Sequence, residues 1–353
     1  MKEIEIDTNL DEDEFQDKMN ALKTVLETFA EVTTETSAKL SKSIDTLMEK
    51  YPDKMDYEFL RSMLPKNFYI VNNKLANEMT ENFVDKDQQE LIVIKPSRGV
   101  KEVTTFNTLT YDDKNITFLG NREFTPYDRT VHNAVCSLIE AGNSVITAAM
   151  VYRAMNGMTE SEHINPSTIE AVIESLEKSR RLMLSVDFTA EAKARNLDVK
   201  ETRIESYLLN ADKIIVRTGG DNVIEAYKIN REPILYYYAR LTKQILSVPE
   251  KLLDTKDATR NTEKIIPIKE YLLRRIEVMK NNKNMSNKIA YDTIFKEAGI
   301  VISDKKQKDR LRSYIKEILG LWIIRDNYIS NFKEYKERNA IKGIEIEISA
   351  KHR

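Results

Sequence analysis

Two stretches of the chain, 125–229 and 265–348, carry the same order of signals: three short helical segments in quick succession, then extended ones. The first stretch is the more sharply marked. Thr125 offers a side-chain oxygen to a helix start, Pro126 suits the first helical position, and Asp128 puts an anion in the first turn. Val131, Val135, Leu138 and Ile139 give that helix one apolar face, and Gly142 ends it. Val145-Ile146-Thr147 is a short extended piece whose threonine caps a second helix, stopped by Gly157. Asn165 and Pro166 open a third helix, with Ile169, Val172, Ile173 and Leu176 apolar and Arg180-Arg181 closing it. Residues 182–188, 204–210, 213–217 and 223–229 are extended, and Thr218-Gly219-Gly220-Asp221 joins the last two as a hairpin.

The spacing predicts a further helix over 234–248. Its Tyr236-Tyr237-Tyr238 fill consecutive positions around the helix, which points to core and interdomain packing more than to stacking on bases. Residues 249–264 are polar and are expected to be a linker. In the second stretch Pro267, Ile268, Leu272, Ile276 and Met279 predict a first helix, broken by Asn281-Asn282. Ser286 is expected to cap a second helix carrying Ile289, Ile294 and Phe295, stopped by Gly299. Residues 300–302 read as a short strand. Ser303 is expected to cap a third helix, with Leu311, Ile315, Ile318 and Leu319 inward and Gly320 at its end. Residues 322–329 and 341–348 read as strands, the latter alternating Ile344, Ile346 and Ile348 with Glu345 and Glu347. Three helices followed by a hairpin is the order of a winged helix-turn-helix. The expected fold class is therefore α+β and helix-rich. It comprises a helical extension (1–60), a first winged-helix domain with leading strands (61–248), the linker (249–264) and a second winged-helix domain (265–350).

The extension is acidic: residues 1–100 hold 13 Lys+Arg against 21 Asp+Glu, while residues 251–353 hold 24 against 15. A formal net charge of −2 thus conceals an acidic head and a basic tail. Within the head, Phe15, Met19, Leu22, Leu26 and Phe29 follow the 4-3-4-3 spacing of a coiled-coil seam. Two readings stand: a self-association helix, giving a homodimer, or a helix packed on its own domain. Thr33 and Thr36 at seam positions weaken the first.

Several enzyme classes lack their residues here. No glycine is followed by lysine, so there is no Walker-type phosphate loop, and no G-x-G pair supplies a dinucleotide fingerprint. His132, His163 and His352 form neither H-E-x-x-H nor H-x-H, and no G-x-S-x-G elbow occurs. No catalytic activity, metal or cofactor is expected. The single Cys136 excludes an internal disulfide and suits a reducing cytoplasm, as a small buried hydrophobe. No signal peptide or membrane span is apparent, so a cytoplasmic protein without membrane contact is expected.

Double-stranded DNA is the expected partner, and the richest cationic segment lies at the start of the last predicted helix. There Lys305, Lys306, Lys308, Arg310 and Arg312 precede Lys316. In a helix-turn-helix that end reaches base edges. With Leu311 and Ile315 inward, Lys308, Arg312 and Lys316 are expected on the opposite side, where lysine binds phosphate and arginine takes a guanine edge. A solvated charged face is the competing reading. Lys333, Lys336 and Arg338 form a basic wing, weakened by Glu334 and Glu337. In the first domain, Ser167, Thr168, Lys178, Arg180 and Arg181 are candidate backbone contacts. Glu170, Glu174 and Glu177 share that helix and would repel phosphate, which leaves pairing with a protein as an equal alternative.

The order of elements, with TPYDRTVHNAVCSLIEAGNSVITAAMVYRAMNG followed by the RLMLSVDF strand, resembles plasmid-type replication initiators of the tandem winged-helix Rep class over about residues 90–350. The resemblance implies binding to repeated origin sites, with the C-terminal winged helix as main reader. It also implies dimerisation through the N-terminal winged helix and recruitment of host replication proteins. The alternatives are a winged-helix transcription or partition regulator of a mobile element, and an adaptor whose winged helices bind protein.

Overall fold

The computed structural model describes residues 64–80, short strands between 92 and 117, and residues 124–348, with gaps at 74–75, 78, 160–161, most of 188–202, 218–222 and 283. The seam residues Phe15, Met19, Leu22, Leu26 and Phe29 lie outside the described residues. The architecture is mixed helix and strand. Strand β1 (Asn67–Val71) is followed by β2 (Ile92–Ile94), β3 (Val103–Asn107), β4 (Thr110–Asp112) and β5 (Asn115–Thr117).

The first module then runs α1 (Pro126–Glu140), β6 (Val145–Thr147), α2 (Ala148–Asn156), α3 (Pro166–Arg181), β7 (Leu182–Asp187), β8 (Arg203–Tyr207), β9 (Ala211–Arg217) and β10 (Val223–Ile229). Its helix starts are chemically explicit. Thr125 and Asp128 form a reciprocal capping box, each side chain accepting from the other's backbone amide. Thr147 caps α2, whose C-cap is Gly157 at φ 60. A Cβ at Gly157 would stand 2.7 Å from the Asp254 amide nitrogen, so glycine is needed for space as well as for backbone. The hairpin β9–β10 takes β6 onto its outer edge, giving a sheet of order β6-β10-β9. A separate sheet of order β2-β3-β7-β8 lies alongside.

A short helix α4 (Ile234–Leu241) and strand β11 (Ile245–Pro249) occupy the place of the single helix expected over 234–248. The chain turns at Lys243 (φ 56), and β11 pairs antiparallel with β1, from Asn67↔Pro249 to Val71↔Ile245. Pairing with a distant strand overrides a helical pattern that is locally adequate. Tyr236 and Tyr238 are buried.

The second module runs α5 (Ile265–Asn281), β12 (Lys288–Ala290), α6 (Tyr291–Glu297), α7 (Lys305–Ile324), β13 (Asn331–Glu337) and β14 (Ala340–Glu347). Its sheet order is β12-β14-β13, the counterpart of the first. Three local expectations are corrected here. Ile289, expected on a helix capped by Ser286, lies on β12 paired with Ile344. Residues 300–302 form no strand. Helix α7 passes through Gly320 to Ile324, where a strand was expected from 322. Trp322 continues the buried stripe of Leu311, Ile315, Ile318 and Leu319, and that burial outweighs one mid-helix glycine at about 1 kcal/mol.

One hydrophobic core runs through both modules, from Val135 and Leu176 in the first to Leu272, Ile315 and Trp322 in the second. Residues 249–264, read as a linker, are gripped by both. Glu250–Leu253 form a 3-10 turn with Leu252 and Leu253 buried. The Trp322 indole donates to the Leu252 carbonyl (2.9 Å), and Arg325 donates to the carbonyls of Lys251 (3.1 Å) and Asp254 (2.7 Å). Lys269, fully buried on α5, donates to Leu253 O (2.7 Å), Asn156 Oδ1 (3.0 Å) and Asn261 Oδ1 (2.7 Å). Burial lowers its pKa to about 7, outweighing the opposing pull of the Asp254 charge. A second buried polar joint pairs Glu270 of α5 with Arg129 of α1 (3.7 Å) and with Arg274 (3.6 Å).

Candidate nucleic-acid interface

Helix α7 begins at Asp304, not at Ser303. The Asp304 carboxylate accepts from the Gln307 amide at 2.7 Å, and Ser303 donates back to Gln307 Oε1 through its backbone N (2.7 Å) and its hydroxyl (2.9 Å). The Gln307 amide holds Asp304 below the usual carboxylate range. This reciprocal cap puts an anion on the positive end of the helix dipole, and lysines follow at once.

The inward stripe Leu311, Ile315, Ile318, Leu319 and Trp322 sets the facing of every other α7 residue. Lys306, Arg310, Ser313 and Glu317 form the opposite ridge, and all four are exposed. Lys305, Lys306 and Arg310 make no ion pair among the described residues. Lys308, Arg312 and Lys316, expected on that outward side, lie on the flank instead. Residues three or four apart on a helix share a face, so Lys308 and Arg312 sit beside Leu311 and Ile315 rather than behind them. That flank meets α6 and the β13–β14 hairpin. Lys308 Nζ lies 2.6 Å from Asp292 Oδ1. Arg312 donates to the Ile341 carbonyl (3.2 Å), lies 3.5 Å from Asp309 and stacks 4.9 Å over the Tyr291 ring. Lys316 stands 3.7 Å from Glu334, which also accepts from the Tyr291 hydroxyl at 2.7 Å. All three are engaged by partners within the second module, and the cations in no ion pair are their neighbours on the helix.

The hairpin adds charge at its tip. Glu337 pairs with Ala340, leaving Arg338 and Asn339 as a two-residue turn with φ 47 and 67. Positive φ at both positions is the I′ geometry that matches strand twist. Lys336 and Arg338 are exposed and unpaired among the described residues, whereas Lys333 stands 3.7 Å from Glu345. The ladder shifts register between Tyr335 and Lys336, so Lys342 has no partner opposite it. Gly343 beside it is obligatory: a Cβ there would lie 2.1 Å from the Ile289 carbonyl oxygen.

The first module treats the matching residues differently. Lys178 pairs with Asp128 at 2.8 Å, with both side chains largely buried, and so closes α3 onto the start of α1. Arg180 donates to the Ala211 carbonyl (2.9 Å). Arg180, Arg181 and Lys213 all converge on Glu177 at 3.1–3.3 Å, which also accepts from the Tyr227 hydroxyl at 3.0 Å. Burial pushes the Glu177 carboxyl up, and Arg180 and Lys213 outweigh it, so its pKa falls below the ordinary value. Ser167 is exposed and Thr168 half-buried, and the open charges on α3 are Glu170 and Glu174.

No family model matches the chain, and no curated protein matches it. Solved structures similar to it include two crystal structures of one protein. A crystal structure of domains 2 and 3 of RctB gives a TM-score of 0.38 at 9% identity, covering 78% of this chain and 99% of that one. A second crystal structure of RctB domains 2–3 gives a TM-score of 0.37 at 10% identity, covering 75% and 91%.

His132 and Cys136, two other reactive side chains, are both buried. Desolvation of His132, with the Arg129 charge nearby, lowers its pKa to about 3. Its ring lies 3.7 Å from the buried Cys136 sulfur. No group of three His, Cys, Asp or Glu side chains is placed to hold a metal among the described residues, and no helix there is long and apolar enough to cross a membrane. Sequence reasoning passed over Asp292, Lys342 and the buried Lys269–Glu270 pair. Only the last had a local signal, two charges inside the apolar run of α5.

Proposed function

We propose that the chain is a sequence-specific double-stranded-DNA-binding replication initiator of a plasmid or mobile element. It is built on two winged helix-turn-helix modules and acts without catalysis. The observation that carries the DNA reading is the ridge of α7: Lys306 and Arg310 stand outward at the start of a well-capped helix. Lys305 lies beside them, and the Lys336–Arg338 hairpin tip extends from the same module. An outward basic start to a third helix, with a basic hairpin, suits a helix in the major groove and a wing on phosphate. The initiator part rests on the resemblance to tandem winged-helix Rep proteins. Dimerisation and contact with host replication proteins belong to the same reading. The exposed Glu170 and Glu174 on α3 favour a protein partner, not phosphate, for the first module.

The test is selection of bound duplexes from a random pool by the full chain, followed by binding across a salt series. A defined site should emerge, with log affinity falling by about 0.9 per unit of log salt for each phosphate neutralised. A plasmid bearing repeats of that site should replicate only when the protein is supplied, without nucleotide hydrolysis or DNA nicking. Repression without replication supports the regulator, and failure to select any site leaves the adaptor.

A further inference from the structure

Asp292 is the first acidic residue of α6, and it is exposed. Two lysines from different elements converge on its two oxygens. Lys308 of α7 lies 2.6 Å from Oδ1, and Lys342 of β14 lies 3.6 Å from Oδ2. Lys342 is the residue left over where the β13–β14 register shifts. A bulge of this kind re-aims one side chain away from the regular alternation of its strand. The helix and the hairpin are thus joined at the surface through one solvent-facing carboxylate. All three groups keep substantial exposure: 55% for Asp292, 30% for Lys308 and 42% for Lys342. The Lys308 ammonium holds the Asp292 carboxyl below its ordinary pKa, so it is ionised at neutral pH.

We propose that Asp292 is a built-in stand-in for a DNA phosphate, occupying two lysines beside the DNA-reading ridge and so suppressing attachment to arbitrary duplex. The proposal rests on the DNA-binding reading of the second module. A phosphate oxygen and a carboxylate oxygen compete for the same ammonium protons. On arbitrary DNA, where only backbone contacts form, the carboxylate keeps Lys308 and Lys342. On a cognate site, base contacts by the open ridge of α7 hold the duplex close enough for phosphates to displace it. Asp292 is in this sense a specificity-determining residue that touches no base.

The experiment compares full-length wild type with Asp292→Asn on a selected site and on unrelated duplex, over a salt series. Glu347→Gln is the control, since it removes an exposed charge of the same module that lies opposite Asn331, at the end of the hairpin away from its tip, and pairs with no lysine among the described residues. Asp292→Asn should raise affinity for unrelated duplex several-fold more than the control does. It should steepen the salt slope by about 0.9 for each lysine freed, and shrink the ratio of specific to unrelated binding. Adding Lys308→Ala and Lys342→Ala to Asp292→Asn should return the slope to the wild-type value. An effect no larger than the control's, or an unchanged slope, overturns the proposal while leaving the DNA reading intact. If wild type binds no duplex at all, both fall. A thermal melt of Asp292→Asn establishes that the variant is folded. Should it melt early, Asp292→Ser, which keeps a helix-starting side chain, replaces it.

Discussion

The two modules share an order of elements and a three-stranded sheet, yet they place the charges of their third helices in opposite ways. In α3 the cations Lys178, Arg180 and Arg181 are bound to Asp128, Glu177 and a carbonyl, and the open charges are Glu170 and Glu174. In α7 the flank cations are bound internally too, but Lys305, Lys306 and Arg310 stand clear at the helix start. On the proposed DNA reading, topology alone does not make a nucleic-acid reader. What matters is which charges remain after the module has satisfied its own.

The largest test of that contrast removes the open ridge. Lys306→Ala with Arg310→Ala should cost about 1–3 kcal/mol for each base edge that is no longer read, measured on the selected site. Arg312→Ala should instead lower the unfolding midpoint, because its guanidinium caps a carbonyl and an aromatic ring inside the module. If the two variants exchange phenotypes, the assignment of ridge and flank is wrong.

Next in size is the joint between the modules. Lys269→Met leaves the Leu253 carbonyl and two amide oxygens without their donor, which should lower stability by about 1–3 kcal/mol in urea unfolding. The wild type should also gain stability with rising pH. The folded-state pKa of Lys269 is about 7, below its ordinary value of 10.5. Between those values the unfolded chain holds a proton that the folded chain has released, so unfolding takes up a proton and stability rises with pH. Below about 7 both states are protonated and the slope from this group vanishes. Lys269→Met should flatten the rise above about pH 7; an equal slope in both proteins would remove Lys269 as its source.

A smaller effect is expected at the hairpin tip, with opposite signs for stability and binding. Arg338 sits at φ 47, a region costing a non-glycine residue about 1–2 kcal/mol. Arg338→Gly should therefore raise the melting temperature while removing one phosphate contact, seen as a salt slope shallower by about 0.9. The smallest effect is expected in the first module. Glu170→Lys with Glu174→Lys should leave the salt slope unchanged if α3 faces away from DNA. A slope steeper by about 1.8 would place α3 on the duplex and end the contrast.

Much of the fold was legible because its signals are local. Thr125-Pro126, Thr147 and Pro166 announce helix starts through chemistry within a single turn, although the Asn165 side chain makes no capping bond. The errors came where distant partners decide. Residues 234–248 are helical by periodicity, but β1, far upstream in the chain, draws their second half into a ladder. Gly320 reads as a stop until the Leu252 carbonyl is seen to receive Trp322. The site was half legible for the same reason. Lys305, Lys306 and Arg310 need only the helical period to be placed outward. The same period also puts Lys308, Arg312 and Lys316 on the flank, so the expectation of an outward side misapplied it; what no spacing within α7 reveals is that Asp292 and Glu334 engage Lys308 and Lys316.

The grip on residues 251–254 has a consequence for inheritance. Trp322 and Arg325 hold this segment by main-chain oxygens, which every amino acid carries. Lys251, and Lys256 and Asp257 just after the segment, make only surface ion pairs, with Asp326, Glu162 and Arg325, so substitutions at these positions are expected to accumulate in descendants. The segment's length is expected to be held more tightly, because an inserted residue would shift the Lys251, Leu252 and Asp254 carbonyls relative to Arg325 and Trp322, and the Asp254 backbone already packs closely on Gly157. Surface connections usually diverge by gaining and losing residues. Here the lineage is expected to vary in letters while keeping the count, and the two modules are expected to be passed on together, since recombination within this segment would separate partners that fold on one core.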